Sequence, residues 1–199
     1  VAYSATSTFT PTTLEYVESF RRYFDGEVKY LHVTNGANVD VDLAYFDAVF
    51  LSYCARLCLE NYVSKSFLTK LHEFEGVKAV AIQDEYELVE NERVGLDLIQ
   101  PDLVFTCIPA AQLGRVYPSG RYPHTRFVQV LTGYQPSLDL NDLRNSLSAR
   151  GITLGYRGRP LSRRYGKLGE AKVEIGQFFL RECAQRGYRN VDISVHEED

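Results

Sequence analysis

The stretch "FDAVFLSYC" at residues 46–54 is a nearly continuous apolar run. It lacks the alternation of apolar and polar residues that marks a strand with one solvated face. Continuous apolar strands are typical of parallel sheets that are covered by helices on both sides. This stretch therefore predicts a buried strand in an α/β fold.

Similar runs occur on both sides of this stretch and alternate with helical patterns. The strand-like segments are residues 1–6, 27–35, 77–83, 102–108 and 125–131. The helical patterns begin near Thr10 and cover 64–76, 91–100 and 110–117. This order predicts a doubly wound, mostly parallel, Rossmann-like sheet with right-handed crossovers.

A second Rossmann-like unit is predicted to begin after residue 150. Residues 132–151 read as a connection with one polar helix, followed by a strand at 152–156, a helix at 169–186 and a strand at 190–195. Residues 1–149 carry 12 Lys and Arg against 19 Asp and Glu, whereas residues 150–199 carry 10 against 7. The charge asymmetry supports a domain boundary there. The residues expected on the buried face of the helix are Ala171, Ile175, Phe178 and Phe179.

The two predicted domains are therefore residues 1–150 and 151–199. One strand–helix–strand unit cannot cover both faces of its sheet. Either it completes the first sheet, or its partner strands lie beyond Asp199. Since the chain also lacks an initiator Met, we expect it to be part of a longer protein with a truncated second domain.

The composition excludes several classes of protein. With 45% hydrophobic and 24% charged residues in 199, the chain is expected to fold. No apolar run predicts a transmembrane segment, so any membrane association would be peripheral. The four cysteines lack zinc-site spacing and read as small buried residues in a reducing compartment, which predicts the cytoplasm. We predict no metal site and no cofactor.

The segment "LGYRGRPLSRRYGKLGEAKVEIG" at residues 154–176 concentrates positive charge between a predicted strand and a predicted helix. Amide groups at a helix N-terminus favour anions, and Arg and Lys bind phosphate oxygens. The segment therefore predicts a phosphate or diphosphate site, and the candidate residues are Arg157, Arg159, Arg164, Lys167 and Lys172. A solvated basic loop is the alternative. Nucleic acid is disfavoured because the sequence pI is about 5.6.

Further candidates follow predicted strands, where ligands of open α/β sheets bind. Asp84 and Glu85 could supply a general base, and Tyr86 could contact a bound ligand. The alternative is an acidic surface loop, because Glu87, Glu90 and Glu92 continue the charge.

Two other groups are predicted to lie at the same edge of the sheet. Ser52 and Tyr53 lie in the last part of the first quoted stretch and Arg56 follows it, and all three could bind a ligand or the backbone of a neighbouring loop. Thr10 and Thr12 start a helix, where capping explains them equally well.

Four segments together resemble GT-B glycosyltransferases, more closely bacterial ones of surface-polysaccharide synthesis. They are "TPTTLEYVESF" (10–20), "FLSYCAR" (50–56), "QDEY" (83–86) and "GYRGRPLSRRYGKLGEAKVEIG" (155–176). The resemblance implies an N-terminal domain that holds a glycan acceptor and a C-terminal domain that grips a nucleotide-sugar. It implies that the basic residues of 157–172 meet the donor diphosphate.

Two alternatives to a transferase remain open at this stage. One is a non-catalytic α/β binding module of the receiver or flavodoxin type, for which Asp84 would be a phosphoacceptor. The first predicted strand ends in "SATS", without the acidic pair that would hold Mg²⁺. The other is a degenerate transferase that serves as a scaffold in polysaccharide assembly.

Overall fold

The computed structural model describes residues 1–37, 39–131, 147–162 and 165–195. Contacts divide the chain into two compact units, an N-terminal unit of Val1–Ser137 and a C-terminal unit of Leu138–Asp199. The boundary falls within residues 132–146, so the polar helix predicted in that connection lies outside the described residues. Each unit is an α/β structure.

The N-terminal unit contains six strands and four α-helices among its described residues. The strands are β1 Ala2–Tyr3, β2 Leu31–His32, β3 Ala48–Leu51, β4 Val77–Ala81, β5 Leu103–Thr106 and β6 Arg126–Gln129. The helices are α1 Pro11–Tyr23, α2 Lys65–Glu73, α3 Val89–Ile99 and α4 Leu113–Val116. Each element matches a predicted one, although β1 and β2 are only two residues long.

All neighbouring strands of this sheet are parallel, in the order β2-β1-β3-β4-β5-β6. The predicted doubly wound, Rossmann-like α/β fold is therefore confirmed. The order reverses between β1 and β3, as it does in flavodoxin-like sheets. Because every strand runs the same way, all six carboxyl ends meet at one edge of the sheet.

One face of the sheet forms the core with α2 and α3. Leu51, Val80 and Val104 of the central strands are at most 1% exposed, and they share a cluster with residues of the two helices. The helix residues of that cluster are Phe67, Leu71, Leu96 and Ile99. Alternate residues of β3 face helix α1 on the opposite side of the sheet. Both faces of β3 are therefore covered, which explains why residues 46–54 are almost continuously apolar.

Helix α1 covers part of the second face. Phe20 packs on Phe50 with a ring separation of 4.5 Å, and Phe50 lies 6.0 Å from Phe105 of β5. Phe50 and Phe105 are only half-buried. The second face is thus aromatic and incompletely covered within the described residues.

The C-terminal unit contains the predicted strand–helix–strand arrangement. Strands β7 Leu154–Arg157 and β8 Val191–Ser194 are parallel, and α5 Lys167–Arg186 joins them. In the described residues they form a separate two-stranded sheet and do not complete the first one. The hydroxyl of Tyr156 donates a hydrogen bond of 2.6 Å to the carbonyl of Lys172, which ties α5 to β7.

The prediction of which face of α5 is buried was wrong. The buried residues are Gly169, Gly176 and Cys183, which recur every seven positions. The large apolar side chains are exposed, with 44% for Ile175 and 51% for Phe178. Small residues face the strands because the helix backbone approaches them closely.

We predict that Gly176→Ala destabilises the C-terminal unit. An exposed helical Gly→Ala change would stabilise a helix by roughly 1 kcal/mol. Here a new Cβ would lie 2.2 Å from Cγ1 of Val195 and 3.1 Å from the Tyr156 ring. Overpacking of this kind costs about 1–3 kcal/mol, so we expect a net loss.

Thermal unfolding and amide hydrogen exchange across α5 and β8 measure this loss. The control is Gly151→Ala, where a Cβ would meet nothing within 4 Å. Equal or greater stability of Gly176→Ala relative to the parent protein would contradict the packing described for α5.

Candidate active site

The candidate site lies where β3, β4 and β5 end at the carboxyl edge of the N-terminal sheet. Chain segments that leave β3 and β4 carry Arg56, Asp84 and Glu85, and Thr106 is the last residue of β5. In open α/β sheets, ligands bind outside this edge. We call the group formed by Arg56, Asp84, Glu85, Glu87 and Glu92 the strand-end cluster.

Asp84 begins a tight turn that connects β4 to α3. Its φ of 66° is left-handed, which is uncommon for a residue with a side chain. The Glu87 amide donates a hydrogen bond of 2.9 Å to the Asp84 carbonyl, and Leu88, also left-handed, ends the turn. The Asp84 side chain is 35% exposed. This carboxylate can therefore reach a bound molecule, in a backbone conformation often found at functional sites.

Glu85 points inwards, although it is adjacent in sequence. It is 7% exposed, and one carboxylate oxygen accepts hydrogen bonds from the Thr106 hydroxyl and from the Cys107 amide, the latter at 3.3 Å. Glu85 therefore links the turn to the end of β5 through its side-chain hydrogen bonds. Tyr86, in contrast, is 68% exposed.

Arg56 connects the segment after β3 to the same turn. Its Nη2 lies 2.6 Å from a Glu87 carboxylate oxygen and 3.9 Å from Oδ2 of Asp84. The Glu87 side chain is only 5% exposed. The shielded ion pair fixes Arg56, and Arg56 in turn places positive charge beside Asp84.

Glu92 in the first turn of α3 is the third buried carboxyl of the cluster and is 4% exposed. Burial raises its pKa to about 7, against the effect of hydrogen bonds from Cys58. The negative charge of Glu85 raises this pKa further, and the positive charge of Arg56 lowers it. Burial likewise raises the pKa of the Cys58 thiol to about 11, so this thiol stays protonated.

An aromatic groove adjoins the cluster on the half-covered face of the sheet. Its volume is about 260 Å³, and its walls include Tyr16 and Phe20 of α1, Tyr53, Gln83 and Phe105. The Tyr16 and Tyr53 rings are 4.7 Å apart. Gln83, which lines the groove, immediately precedes Asp84 in the chain, so the partly exposed carboxylate follows a wall residue of the groove. Apolar walls with a few polar groups are typical of small-molecule sites.

The remaining acceptor candidates of the N-terminal unit, Ser52, Thr10 and Thr12, differ in burial and in their contacts. Ser52 is fully buried, and its amide donates a hydrogen bond of 2.9 Å to the carbonyl of Ala2. Thr10 is the N-cap of α1 without a capping side-chain bond, and Thr12 is exposed. A role of Ser52 in holding β3 to β1 is therefore visible, whereas contact of these residues with an acceptor stays a prediction.

A larger cavity of about 590 Å³ lies at the opposite edge of the sheet. It is lined by residues that precede β3 and β4, among them Asp40, Asp42 and Lys70. The Lys70 ammonium donates hydrogen bonds to the carbonyls of Val39 and Val41, at 2.8 and 3.1 Å. Its charge is thus used within the fold. We favour the smaller groove because it lies at the carboxyl edge.

The predicted diphosphate residues lie in the C-terminal unit. Arg157 forms an ion pair of 2.7 Å with Asp192 of β8, which holds the pKa of that carboxyl below its usual range. Arg159, Lys167 and Lys172 are exposed, and Lys167 is the first residue of α5. Arg164 lies outside the described residues. Of the candidates that the structure describes, Arg159, Lys167 and Lys172 are thus exposed near the start of α5, while Arg157 already has an anionic partner.

Sequence reasoning missed the groove and the burial of Glu87 and Glu92. The acidic run was weighed as a surface loop, and only Glu90 of its later members is exposed. One sequence signal could have indicated the groove: Tyr16 and Phe20 are four residues apart and therefore lie on the same face of α1. Within the described ranges, no group of three or more His, Cys, Asp or Glu could hold a metal ion.

We predict that Arg56→Met destabilises the N-terminal unit by about 3 kcal/mol, because it leaves a buried carboxylate without its cation. The double variant Arg56→Met with Glu87→Leu should recover most of this loss. Arg115→Met, which removes an exposed guanidinium bonded to Gln112, is the control. Chemical denaturation at pH 7 measures all three variants. A double variant as unstable as the single one would contradict the pairing.

We also predict that Glu92 makes stability fall as pH rises from about 4.5 to about 7. Over that range the unfolded chain has lost this proton and the folded chain keeps it. The change can reach about 3 kcal/mol, at 1.36 kcal/mol per pKa unit. Glu92→Gln should flatten this part of the stability profile, whereas Glu90→Gln should leave it unchanged. An unchanged slope in Glu92→Gln would contradict the buried, neutral carboxyl.

Comparison with known proteins returns no matching family model, no matching curated protein and no matching solved structure. Among the described residues, no helix is long and apolar enough to cross a membrane. The fold assignment therefore rests on the strand order. The functional proposal rests on the geometry of the strand-end cluster and of the aromatic groove.

Proposed function

We propose that the chain is the acceptor-side part, with the start of the donor side, of a glycosyltransferase that moves a sugar from a nucleotide-sugar to a glycan acceptor. The observation that carries this proposal is the exposed Asp84 carboxylate beside an aromatic groove at the carboxyl edge of the sheet. Asp84 is the general base for the acceptor hydroxyl, and Glu85 holds the turn that presents it.

The chemistry of sugar transfer requires little more from this unit. An acceptor hydroxyl becomes a nucleophile when a positioned carboxylate removes its proton. Arg56 lies 3.9 Å from Asp84 and is held there by its ion pair with Glu87. The base needs only to reach the hydroxyl, so the mechanism requires no metal in this unit.

The groove matches a sugar in size and in the character of its walls. Aromatic rings offer flat apolar surfaces to the C–H face of a sugar, while Gln83 and the tyrosine hydroxyls can bond its hydroxyl groups. Burial raises the pKa of Tyr16, so its hydroxyl stays neutral and can donate a hydrogen bond. Of the acceptor-binding candidates, Tyr53 lines this groove, and Tyr86 is an exposed residue of the turn that follows Gln83.

The donor side of the proposal rests on the C-terminal unit. Arg159, Lys167 and Lys172 are exposed cations near the start of α5. Free amides at the first turn of a helix add a partial positive charge to such a site. We assign the donor diphosphate to this region and count Arg157 as a contributor only if the diphosphate replaces Asp192 as its partner.

A non-catalytic binding module is the second candidate, and the strand order favours it. The reversal between β1 and β3 is shared with flavodoxin-like domains, which bind their ligands at that point. Such a module would bind a sugar or phosphate without turnover. The two candidates differ in whether the protein turns over a nucleotide-sugar at all. If it is a transferase, Asp84→Asn should remove turnover and leave ligand binding intact.

We predict that the full-length protein releases nucleotide from a UDP- or GDP-sugar in the presence of a glycan acceptor. Asp84→Asn should lower this rate by about 10²–10⁴, the usual contribution of a general base. Asp40→Asn, an exposed carboxylate at the opposite edge of the sheet, is the matched control. Equal turnover in the two variants would contradict the role of Asp84.

We further predict that Tyr53→Leu weakens acceptor binding about fivefold to tenfold, equivalent to ~1 kcal/mol for a lost aromatic contact. Tyr45→Leu, which changes an 86% exposed ring before β3, should have no effect. Saturation-transfer NMR with a panel of glycosides provides the affinities. Binding that survives Tyr53→Leu unchanged would place the acceptor elsewhere.

A further inference from the structure

We propose that the start of α1 binds an anionic group, and that the acceptor sugar in the aromatic groove carries this group as a carboxylate or a phosphate. The first statement concerns binding alone, whereas the second rests on the proposed function. The chain from Ser4 to Thr13, which leads from β1 into α1, contains seven Ser and Thr residues among ten. It leaves β1 at the carboxyl edge, where the strand order reverses and where ligands of open α/β sheets bind.

The first turn of α1 leaves one backbone donor unused. Pro11, the first residue of the helix, has no amide proton. The amides of Thr13 and Leu14 donate hydrogen bonds of 3.0 and 3.2 Å to the Thr10 carbonyl. The Thr12 amide has no hydrogen bond among the described residues, and Thr12 is exposed. A free amide at this end of a helix, together with the partial positive charge of the helix dipole, favours an anion.

The side chain of Thr13 is a second, independent indication of a ligand. Thr13 is only 8% exposed, and its hydroxyl has no hydrogen-bond partner among the described residues. Helical side chains lean towards the N-terminus, so this hydroxyl is directed at the start of α1. Its oxygen is not completely enclosed, so a small ligand can reach it. A buried hydroxyl normally forms a hydrogen bond, and an anionic oxygen at the helix start would accept one.

Other hydroxyls of the segment fix its conformation. The Ser4 hydroxyl is hydrogen-bonded to that of Thr34, after β2, at 2.9 Å. The Ser7 hydroxyl donates a hydrogen bond of 3.3 Å to the carbonyl of Cys54, the residue after Tyr53. The segment before α1 is therefore anchored to the chain that follows β2 and β3. Donors that are already held in place lose little freedom when a ligand binds, which favours binding.

The anion site and the aromatic groove share helix α1. Thr13 precedes Tyr16, a wall residue of the groove, by three positions. Residues at this spacing are neighbours on a helix and lie about 4.5 Å apart along its axis. A carboxylate or phosphate attached to a sugar ring extends over a similar distance. A sugar that contacts the rings of Tyr16 and Tyr53 can therefore place such a group at the start of α1.

The charge around the site predicts selectivity with modest affinity. Residues 1–20 contain no Lys or Arg, and Glu15 adds a negative charge in the second turn of α1. Hydrogen-bond donors and the helix dipole therefore supply the attraction. One hydrogen bond to a charged group is equivalent to about tenfold in affinity at the lower end of its range. An anionic acceptor should bind more tightly than its neutral analogue by about this factor.

Backbone amide NMR with sodium phosphate, and separately with sodium acetate, tests the anion site without any sugar. Sodium chloride at the same ionic strength is the reference. The amides of Thr12 and Thr13 should shift saturably with at least one of the two anions. Helix α2 is the internal control, because the Ser64 hydroxyl already accepts a hydrogen bond of 3.2 Å from the Phe67 amide at its start. Absence of these shifts, or equal shifts at the starts of α1 and α2, would overturn the anion site.

A panel of methyl glycosides, each paired with its uronate and with the 1-phosphate of the same sugar, tests the substrate class. In a set that binds, an anionic member should bind about tenfold more tightly than the neutral one, and the tighter of the two anions identifies the group. Thr13→Val should abolish this preference without loss of stability, because the hydroxyl has no partner within the described fold. Thr69→Val, which alters an exposed threonine of α2 bonded to the Lys65 carbonyl, should retain it.

The outcomes separate the anion site from the proposed function. Shifts at the start of α1 together with equal affinities for neutral and anionic glycosides would overturn the anionic acceptor and leave sugar transfer standing. Shifts there in a protein that binds no glycoside would support the anion site and contradict both the proposed function and the anionic acceptor. A preference for anions that survives Thr13→Val would overturn the assignment of this group to the start of α1.

Discussion

The ion pair between Arg56 and Glu87 is the constraint on which the candidate site depends. It joins the segment after β3 to the turn after β4, with a distance of 2.6 Å and little access of solvent to the carboxylate. Neither segment has regular secondary structure at that point. The pair therefore joins the two segments through side chains and, with the hydrogen bonds of Glu85 to the end of β5, sets the position of the turn and of Asp84.

Two neighbouring carboxylates acquire different properties from this arrangement. Asp84 faces solvent in a left-handed conformation, whereas Glu85 is turned into the protein and bonded to the end of β5. The chain turns sharply at Asp84, so the side chain of Glu85 enters the protein while that of Asp84 remains reachable. The different roles of Asp84 and Glu85 therefore follow from the backbone conformation and not from a difference in the chemistry of their carboxyl groups.

The sequence predicted the fold well because the fold depends on patterns that are local. The apolar run of β3, the alternation of strands with helices, and the strand–helix–strand order of the C-terminal unit all appear at the expected places. The site was only partly predictable. The sequence shows that polar residues follow β3 and β4. It does not show that Glu87 and Glu92 are buried, because their partners Arg56 and Cys58 are distant in sequence. The prediction for α5 failed because hydrophobicity alone assigned the large apolar residues to its buried face. The helix backbone packs closely on β7 and β8, and only small residues such as Gly169 and Gly176 fit at that contact.

Where a sugar binds on the N-terminal unit is the question that tests this account most directly. Mapping of backbone amide shifts during titration with a glycan acceptor would answer it. The account predicts that the shifts cluster on Tyr16, Tyr53, Gln83 and Asp84, at the carboxyl edge of the sheet. Shifts confined to the opposite edge, around Asp42 and Lys70, or no shifts with any glycan, would contradict it.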